Sequence, residues 1–127
     1  MKLLLDTNII LMTAFNALPE KAVAMIKDPV NSLYFSSISI WETVIKNALK
    51  KRDFQIDPSR LHHSLLANGY VEIKLNSRHS LHVASLPGLH KDPFDRILLA
   101  QAAVEGLTLL TSDSIVARYP GDIIHVV

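Results

Sequence analysis

The chain has 127 residues, 49% of them apolar and 20% charged, which is enough for one hydrophobic core, too little for two, and too apolar for a disordered segment. Thirteen basic side chains against twelve acidic ones leave a net charge of +1, so no global field attracts a polyanion, and a nucleic-acid partner has to be held by local charge or by bound metal. Cysteine is absent, which excludes disulfides, thiolate metal sites and a thiol nucleophile and agrees with a reducing, cytoplasmic setting. The expectation is a single domain over residues 1–127.

In chain order, KLLL is a short all-apolar run, as in a strand buried on both faces. Asp6 interrupts it at once, so the N-terminus reads as neither a signal peptide nor a membrane span. TNIILMTAF follows as a short helix. PEKAVAMIKD opens with proline and repeats Ala22, Val23, Met25 and Ile26 at helical spacing. SLYFSS is a second strand and SISIWETVIKNALKKR a long helix. Its inward face is expected to be Ile40, Val44, Ile45, Ala48 and Leu49, with Lys46, Lys50, Lys51 and Arg52 outside.

DPSRLHHSLLANGY predicts a helix capped by Asp57, with Pro58 at its first position and a stop at Gly69. VEIKL is a third strand, and NSRHSLHVASLP a helix capped by Asn76 or Ser77 that ends before Pro87. A helix from Pro93 to Glu105 leads into the strand LTLL, a helical turn SIVARY and a last strand DIIHVV. Alternating strands and helices argue for an α/β chain: a central parallel sheet with helices on both faces, a three-layer α/β/α sandwich. Ligands of such folds bind beyond the carboxyl ends of the strands, where strand order reverses.

Four acids stand out. Asp6 and Asp113 follow strands directly, while Glu42 and Asp95 lie early in helices, whose beginnings are expected at the same edge. Each has a structural reading. Asp6 or Thr7 can cap the first helix, and Ser39 and Glu42 have the spacing of a capping box. Asp92 before Pro93 is a strong N-cap signature, Asp95 suits a helix dipole, and Asp113 can cap the turn behind it. Together they predict one acidic pocket, whose like charges demand either protonation or a cation. Oxygen ligands without histidine or cysteine favour a hard ion, Mg²⁺ or Mn²⁺, in one or two copies. Such ions suit phosphodiester chemistry.

The segments LLLDTNIIL, SSISIWETVIK, HKDPFDRILLAQA and LLTSD, in this order, resemble the PIN domain, in particular the VapC-like toxins of bacterial toxin–antitoxin pairs. The resemblance covers nearly the whole chain, and DPFDRILLAQA is its most specific part. It implies a metal-dependent endoribonuclease that hydrolyses RNA phosphodiesters, an antitoxin partner that fills the acidic groove, and a homodimer. It assigns Asp6, Glu42, Asp95 and Asp113 to the acids that hold Mg²⁺ or Mn²⁺, with Asp92 a weaker candidate. Thr7, Asn8, Thr111 and Ser112 match positions that orient acids or water. In this chemistry water, and no side chain, is the nucleophile, and the product carries a 5′-phosphate.

Other charged and aromatic residues have readings of their own. Lys46, one turn after Glu42, fits an ordinary helix ion pair and can also steer RNA. Arg96 is placed to bind a phosphate or a neighbouring acid, and KNALKKR forms a modest basic patch. Trp41 reads as a core or dimer contact rather than a base-stacking platform. His79 and His82 read as structural, His62 and His63 face different ways, and His90, in the loop just before Asp92 and beside Lys91, can touch substrate phosphate but reads first as a plain loop histidine. The alternative function is a non-catalytic RNA- or protein-binding module on the same fold, which the complete acid set disfavours. A receiver-type signalling domain would need paired early acids and a late lysine, and a DNA-directed nuclease would need more helical elements to grip a duplex.

Overall fold

The structure, a computed structural model, describes residues 1–49 and 55–127. Five strands, β1 (Lys2–Leu5), β2 (Ser32–Ser36), β3 (Val71–Ile73), β4 (Thr108–Thr111) and β5 (Ile123–His125), make one sheet. Their order is β3-β2-β1-β4-β5, and every adjacent pair is parallel. Among the described residues six helices connect them: α1 (Thr7–Ala14), α2 (Glu20–Lys27), α3 (Ser37–Ala48), α4 (Pro58–Ala67), α5 (Ser77–His82) and α6 (Pro93–Glu105). The arrangement is the three-layer sandwich expected from the alternation of elements.

The alternation of side chains along each strand feeds two cores. Leu3, Leu5, Phe35 and Leu110 point into one, against Ile9 and Ile10 of α1, Ala22 of α2 and Leu61 and Leu65 of α4. Leu4 and Leu109 point into the other, against Leu98, Leu99 and Ala102 of α6. Leu3, Leu4 and Leu5 are all fully buried, which is why KLLL carries no polar alternation. Burying each such side chain stabilises the fold by about 1.5–3 kcal/mol.

Local chemistry sets the helix ends. Asp57 accepts hydrogen bonds from the Ser59 and Arg60 amides, and Pro58 opens α4. Asn76 and His79 form a reciprocal capping box at the start of α5, and a 3₁₀ turn over Val83–Ser85 follows it. Asp92 accepts from the Phe94 amide at 2.9 Å, and Gly106 closes α6 with φ +66°, a left-handed conformation that suits glycine. VEIKL pairs over only Val71–Ile73, and the SIVARY turn is a 3₁₀ turn over Val116–Arg118.

Three expectations are corrected at α3. The helix begins at Ser37, and its cap is Ser36, whose hydroxyl accepts from the Ile38 amide. Ser39 and Glu42 therefore form no capping box and lie inside the helix. The buried face is Ile38, Ser39, Glu42 and Thr43, whereas Val44 is 47% exposed and Ala48 and Leu49 are also exposed. Trp41 is not a core residue: it is 57% exposed and meets Phe94 of α6 edge-on, ring centres 5.2 Å apart. Lys50, Lys51 and Arg52 of the basic patch lie outside the described residues. No helix among the described residues is long and apolar enough to cross a membrane.

Candidate metal centre

The sheet order fixes where the acids meet. β1 is flanked by β2 on one side and β4 on the other, so successive connections leave β1 in opposite directions and open a crevice at its carboxyl end. Asp6 follows β1 there, and its amide donates to the Leu110 carbonyl at 2.9 Å, extending the ladder beyond the strand. Asp113 lies two residues past the end of β4. The helix α3 starts directly where β2 ends, bringing Glu42 in from one side. The helix α6 leads into β4 by way of Gly106, so its first turn, with Asp95, stands over the same edge.

Thr111 joins the two strand-end acids. Its hydroxyl donates to Asp6 Oδ2 at 2.7 Å and accepts the Asp113 amide at 3.0 Å. Asp113 Oδ1 accepts the amides of Ile115 and Val116 at 2.7 and 3.1 Å, capping the following turn. Asp113 Oδ2 lies 3.4 Å from His90 Nε2, which is also 3.0 Å from Asp95 Oδ2. A ligand-type atom from each of His90, Asp95 and Asp113 lies within 4.8 Å of the other two.

The electrostatics are those of crowded carboxylates. Burial pushes Asp6 up to about 6, against the lowering effect of the Thr111 hydrogen bond, and the charge of Glu42 raises it further. Burial pushes Asp95 up to about 7, with Asp6 and Asp92 adding like charge and His90 working the other way. Asp113 goes down: desolvation raises it, but the amides of Val116 and Ile115 and the His90 imidazole together outweigh that. Without a cation, then, Asp6 and Asp95 compete to hold protons near neutral pH. Glu42 is only 9% exposed, and its Oε1 is buried with no hydrogen-bond partner among the described residues. A buried carboxylate oxygen without a donor is costly. Asp6, Glu42, Asp95 and Asp113 are hard oxygen donors of the kind suited to Mg²⁺ or Mn²⁺, and among the described residues the ligand-type atoms that lie together are those of His90, Asp95 and Asp113.

The remaining candidates divide. Thr7 is buried and shares a 2.8 Å hydrogen bond with Ser39 of α3, which fastens the start of α1 beside Glu42. Asn8 Oδ1 accepts from Lys46 at 3.3 Å, and the same ammonium lies 3.5 Å from Glu42 Oε2. Ser112 takes part through its carbonyl, which His125 contacts at 3.2 Å. Asp92 caps α6, and its charge reaches Asp95. Among the described residues Arg96 bonds no acid of the cluster. Its guanidinium donates to the carbonyls of Pro87 and Val83 and to the Tyr119 hydroxyl at 2.8, 3.2 and 3.2 Å, so its expected contact with an acid is corrected to a structural one.

The reading of His90 as a plain loop residue is also corrected, because its ring lies between two of the acids. The local signal was its position two residues ahead of the α6 cap, where Nδ1 accepts the Asp92 amide at 3.1 Å. His79 is structural as expected: fully buried, in the α5 capping box and 3.0 Å from Glu105.

The family model of the PIN domain matches residues 3–122. The chain belongs to the PIN domain family. Its fold is shared by a chain of VapBC2 from Rickettsia felis, solved bound to a DNA fragment from its promoter, with a TM-score of 0.72, 18% identity and 99% of each chain covered. DNA-bound VapBC from Salmonella typhimurium matches with a TM-score of 0.70, 18% identity and 98% of each chain covered. VapBC-1 from nontypeable Haemophilus influenzae matches with a TM-score of 0.62 and 22% identity, over 89% of this chain and 87% of that one. No curated protein matches the sequence.

Proposed function

We propose that this PIN domain is a divalent-metal-dependent endoribonuclease that acts as the toxin of a toxin–antitoxin pair. The observation that supports the reading is the placing of Asp6, Glu42, Asp95 and Asp113 toward one sheet edge, where burial and then like charge raise two of them toward neutrality. PIN domains are generally nucleases, and the fold neighbours were solved as VapBC assemblies. A cognate antitoxin, with a homodimer of this chain, is part of the proposal.

Asp6, Glu42, Asp95 and Asp113 would hold Mg²⁺ or Mn²⁺, which when bound supplies an activated water and neutralises charge at a phosphodiester. The protein's own groups prepare that chemistry. Thr111 fixes the rotamer of Asp6 and ties it to the Asp113 backbone. Lys46, held between Asn8 and Glu42, places a positive charge at the rim for an RNA phosphate. Burial and like charge push Asp95 up to about 7 in the metal-free protein, so a cation that binds near neutral pH displaces its proton.

The test is incubation of the purified chain with a mixed small-RNA pool in Mn²⁺, Mg²⁺ or EDTA, with sequencing of the product ends. Discrete cuts bearing 5′-phosphates, abolished by EDTA, are expected. RNA binding without cleavage, indifferent to EDTA, would instead establish a non-catalytic binding module.

A further inference from the structure

We propose that the Tyr119 hydroxyl latches the loop that carries His90, and that Tyr119 is thereby a positioning residue for Asp95 and Asp113, neither of which it bonds. The inference rests on the reading that these acids bind a divalent ion, and it adds to that site a residue from outside the acid cluster.

The loop between the Val83–Ser85 turn and α6 buries little apolar surface of its own. Pro87, Gly88 and Leu89 are exposed, and Leu86 is only partly buried. A segment with so few apolar contacts opens at low cost, so its hydrogen bonds decide where it lies. The His90 amide donates to the Tyr119 hydroxyl at 2.7 Å. Arg96 donates to the carbonyls of Pro87 and Val83 at 2.8 and 3.2 Å, and to the same Tyr119 hydroxyl at 3.2 Å. One phenol oxygen, with two lone pairs, serves both donors.

That oxygen has a fixed base. Tyr119 is 4% exposed, and it belongs to the core cluster that includes Leu98, Leu99 and Val116. Its backbone closes the 3₁₀ turn Val116–Arg118, and Asp113 Oδ1 caps that turn by accepting the Ile115 and Val116 amides.

These contacts close a ring. Asp113 caps the turn that presents Tyr119, and Tyr119 holds the His90 amide and Arg96. Arg96 adjoins Asp95 in α6, and the His90 side chain lies 3.0 Å from Asp95 Oδ2 and 3.4 Å from Asp113 Oδ2. Among the described residues the ligand-type atoms that lie together are those of His90, Asp95 and Asp113. The Tyr119 hydroxyl is where the three segments bearing them are joined.

Tyr119→Phe keeps the packed ring and removes the oxygen. Hydrogen exchange of the metal-free full chain, followed in ¹H–¹⁵N spectra, reads the latch alone. The His90 amide is expected to be protected in wild type and to exchange about tenfold faster in the variant, the worth of one hydrogen bond, while the amides of β1 and β4 keep their protection. An unprotected His90 amide in wild type, or equal protection in both proteins, overturns the proposal whatever the metal does. Calorimetric titration of Mn²⁺ then reads the site. Binding roughly tenfold weaker is expected in Tyr119→Phe. Because both side chains act on one loop, Tyr119→Phe combined with Arg96→Met should lose no more than the worse single variant. Wild-type affinity in Tyr119→Phe, or losses that simply add, overturns the proposal. Absence of any Mn²⁺ binding by the wild-type chain removes the divalent-ion reading and the positioning role with it, an outcome that the exchange measurement keeps distinct from failure of the latch.

Discussion

Thr111 donates its hydroxyl hydrogen to Asp6 Oδ2 at 2.7 Å across a sequence separation of 105 residues. The bond is buried, ties β4 to the end of β1, and is the principal hydrogen bond that favours the ionised form of Asp6. Thr111→Val keeps the shape and removes the donor. The expected result is a further rise of Asp6 from about 6 and a loss of Mn²⁺ affinity of roughly tenfold or more, as for other groups that orient metal ligands. Thr111→Ser should restore most of it. Calorimetric titration of Mn²⁺ into the three proteins makes the comparison, and unchanged affinity in the valine variant would remove Thr111 from the site.

The raised aspartates give the metal-free protein a definite pH dependence. Asp6 and Asp95 have folded values of about 6 and about 7 against an ordinary 3.8, so the folded state binds their protons more tightly than the unfolded state does. Their stabilising contribution is complete below about 4 and is lost as pH rises through 6 to 7. Asp113 is shifted the other way, and its contribution is lost only on acidification below the ordinary aspartate range. Melting in EDTA is therefore expected to be lower at pH 7.5 than at pH 5, with Mn²⁺ recovering the difference at pH 7.5. An apo protein equally stable at both would contradict the crowding.

Removing one charge should relieve the same repulsion. Asp95→Asn is predicted to stabilise the metal-free protein at pH 7.5 by on the order of 1–3 kcal/mol, a gain paid in function. The melting temperature in EDTA should rise, and the increment caused by Mn²⁺ should shrink or vanish. A variant that melts lower than wild type in EDTA would show that Asp95 is held mainly by favourable contacts.

Much of this was legible because the strongest sequence signals are local. KLLL ends at Asp6 and LTLL leads to Asp113, and a strand's exit edge needs no tertiary information. Asp57 and Asp92, each followed by proline, mark helix starts correctly for the same reason. The start of α3 was not legible. Ser36, Ser37 and Ser39 all offer caps, and Ser39 with Glu42 has capping-box spacing, yet the helix starts where β2 ends and Ser36 takes the role. The face of α3 misled for a functional reason: it buries Ser39, Glu42 and Thr43, so the rule that apolar residues face inward selected Val44 and Leu49, which are exposed. His90 escaped because its partners, Asp95 and Asp113, are brought to it by the packing of α6 against β4.

Arg96 offers a sharp distinction between scaffold and substrate contact. Its three hydrogen bonds go to Pro87, Val83 and Tyr119, so Arg96→Met is expected to cost about 2 kcal/mol of stability. RNA affinity should keep its salt dependence, whereas loss of a phosphate contact lowers that slope by about one. Chemical denaturation and binding at several salt concentrations read the two quantities separately, and a reduced slope would return Arg96 to the substrate.

The most direct test of the central claim is the rate of RNA cleavage against Mn²⁺ concentration for wild type and Asp95→Asn, each purified free of any antitoxin and shown folded by its melting curve. The account predicts cleavage by wild type that saturates with Mn²⁺ and disappears in EDTA, and a rate at least a hundredfold lower in the variant. Equal rates in the two proteins, or cleavage that persists in EDTA, would contradict it.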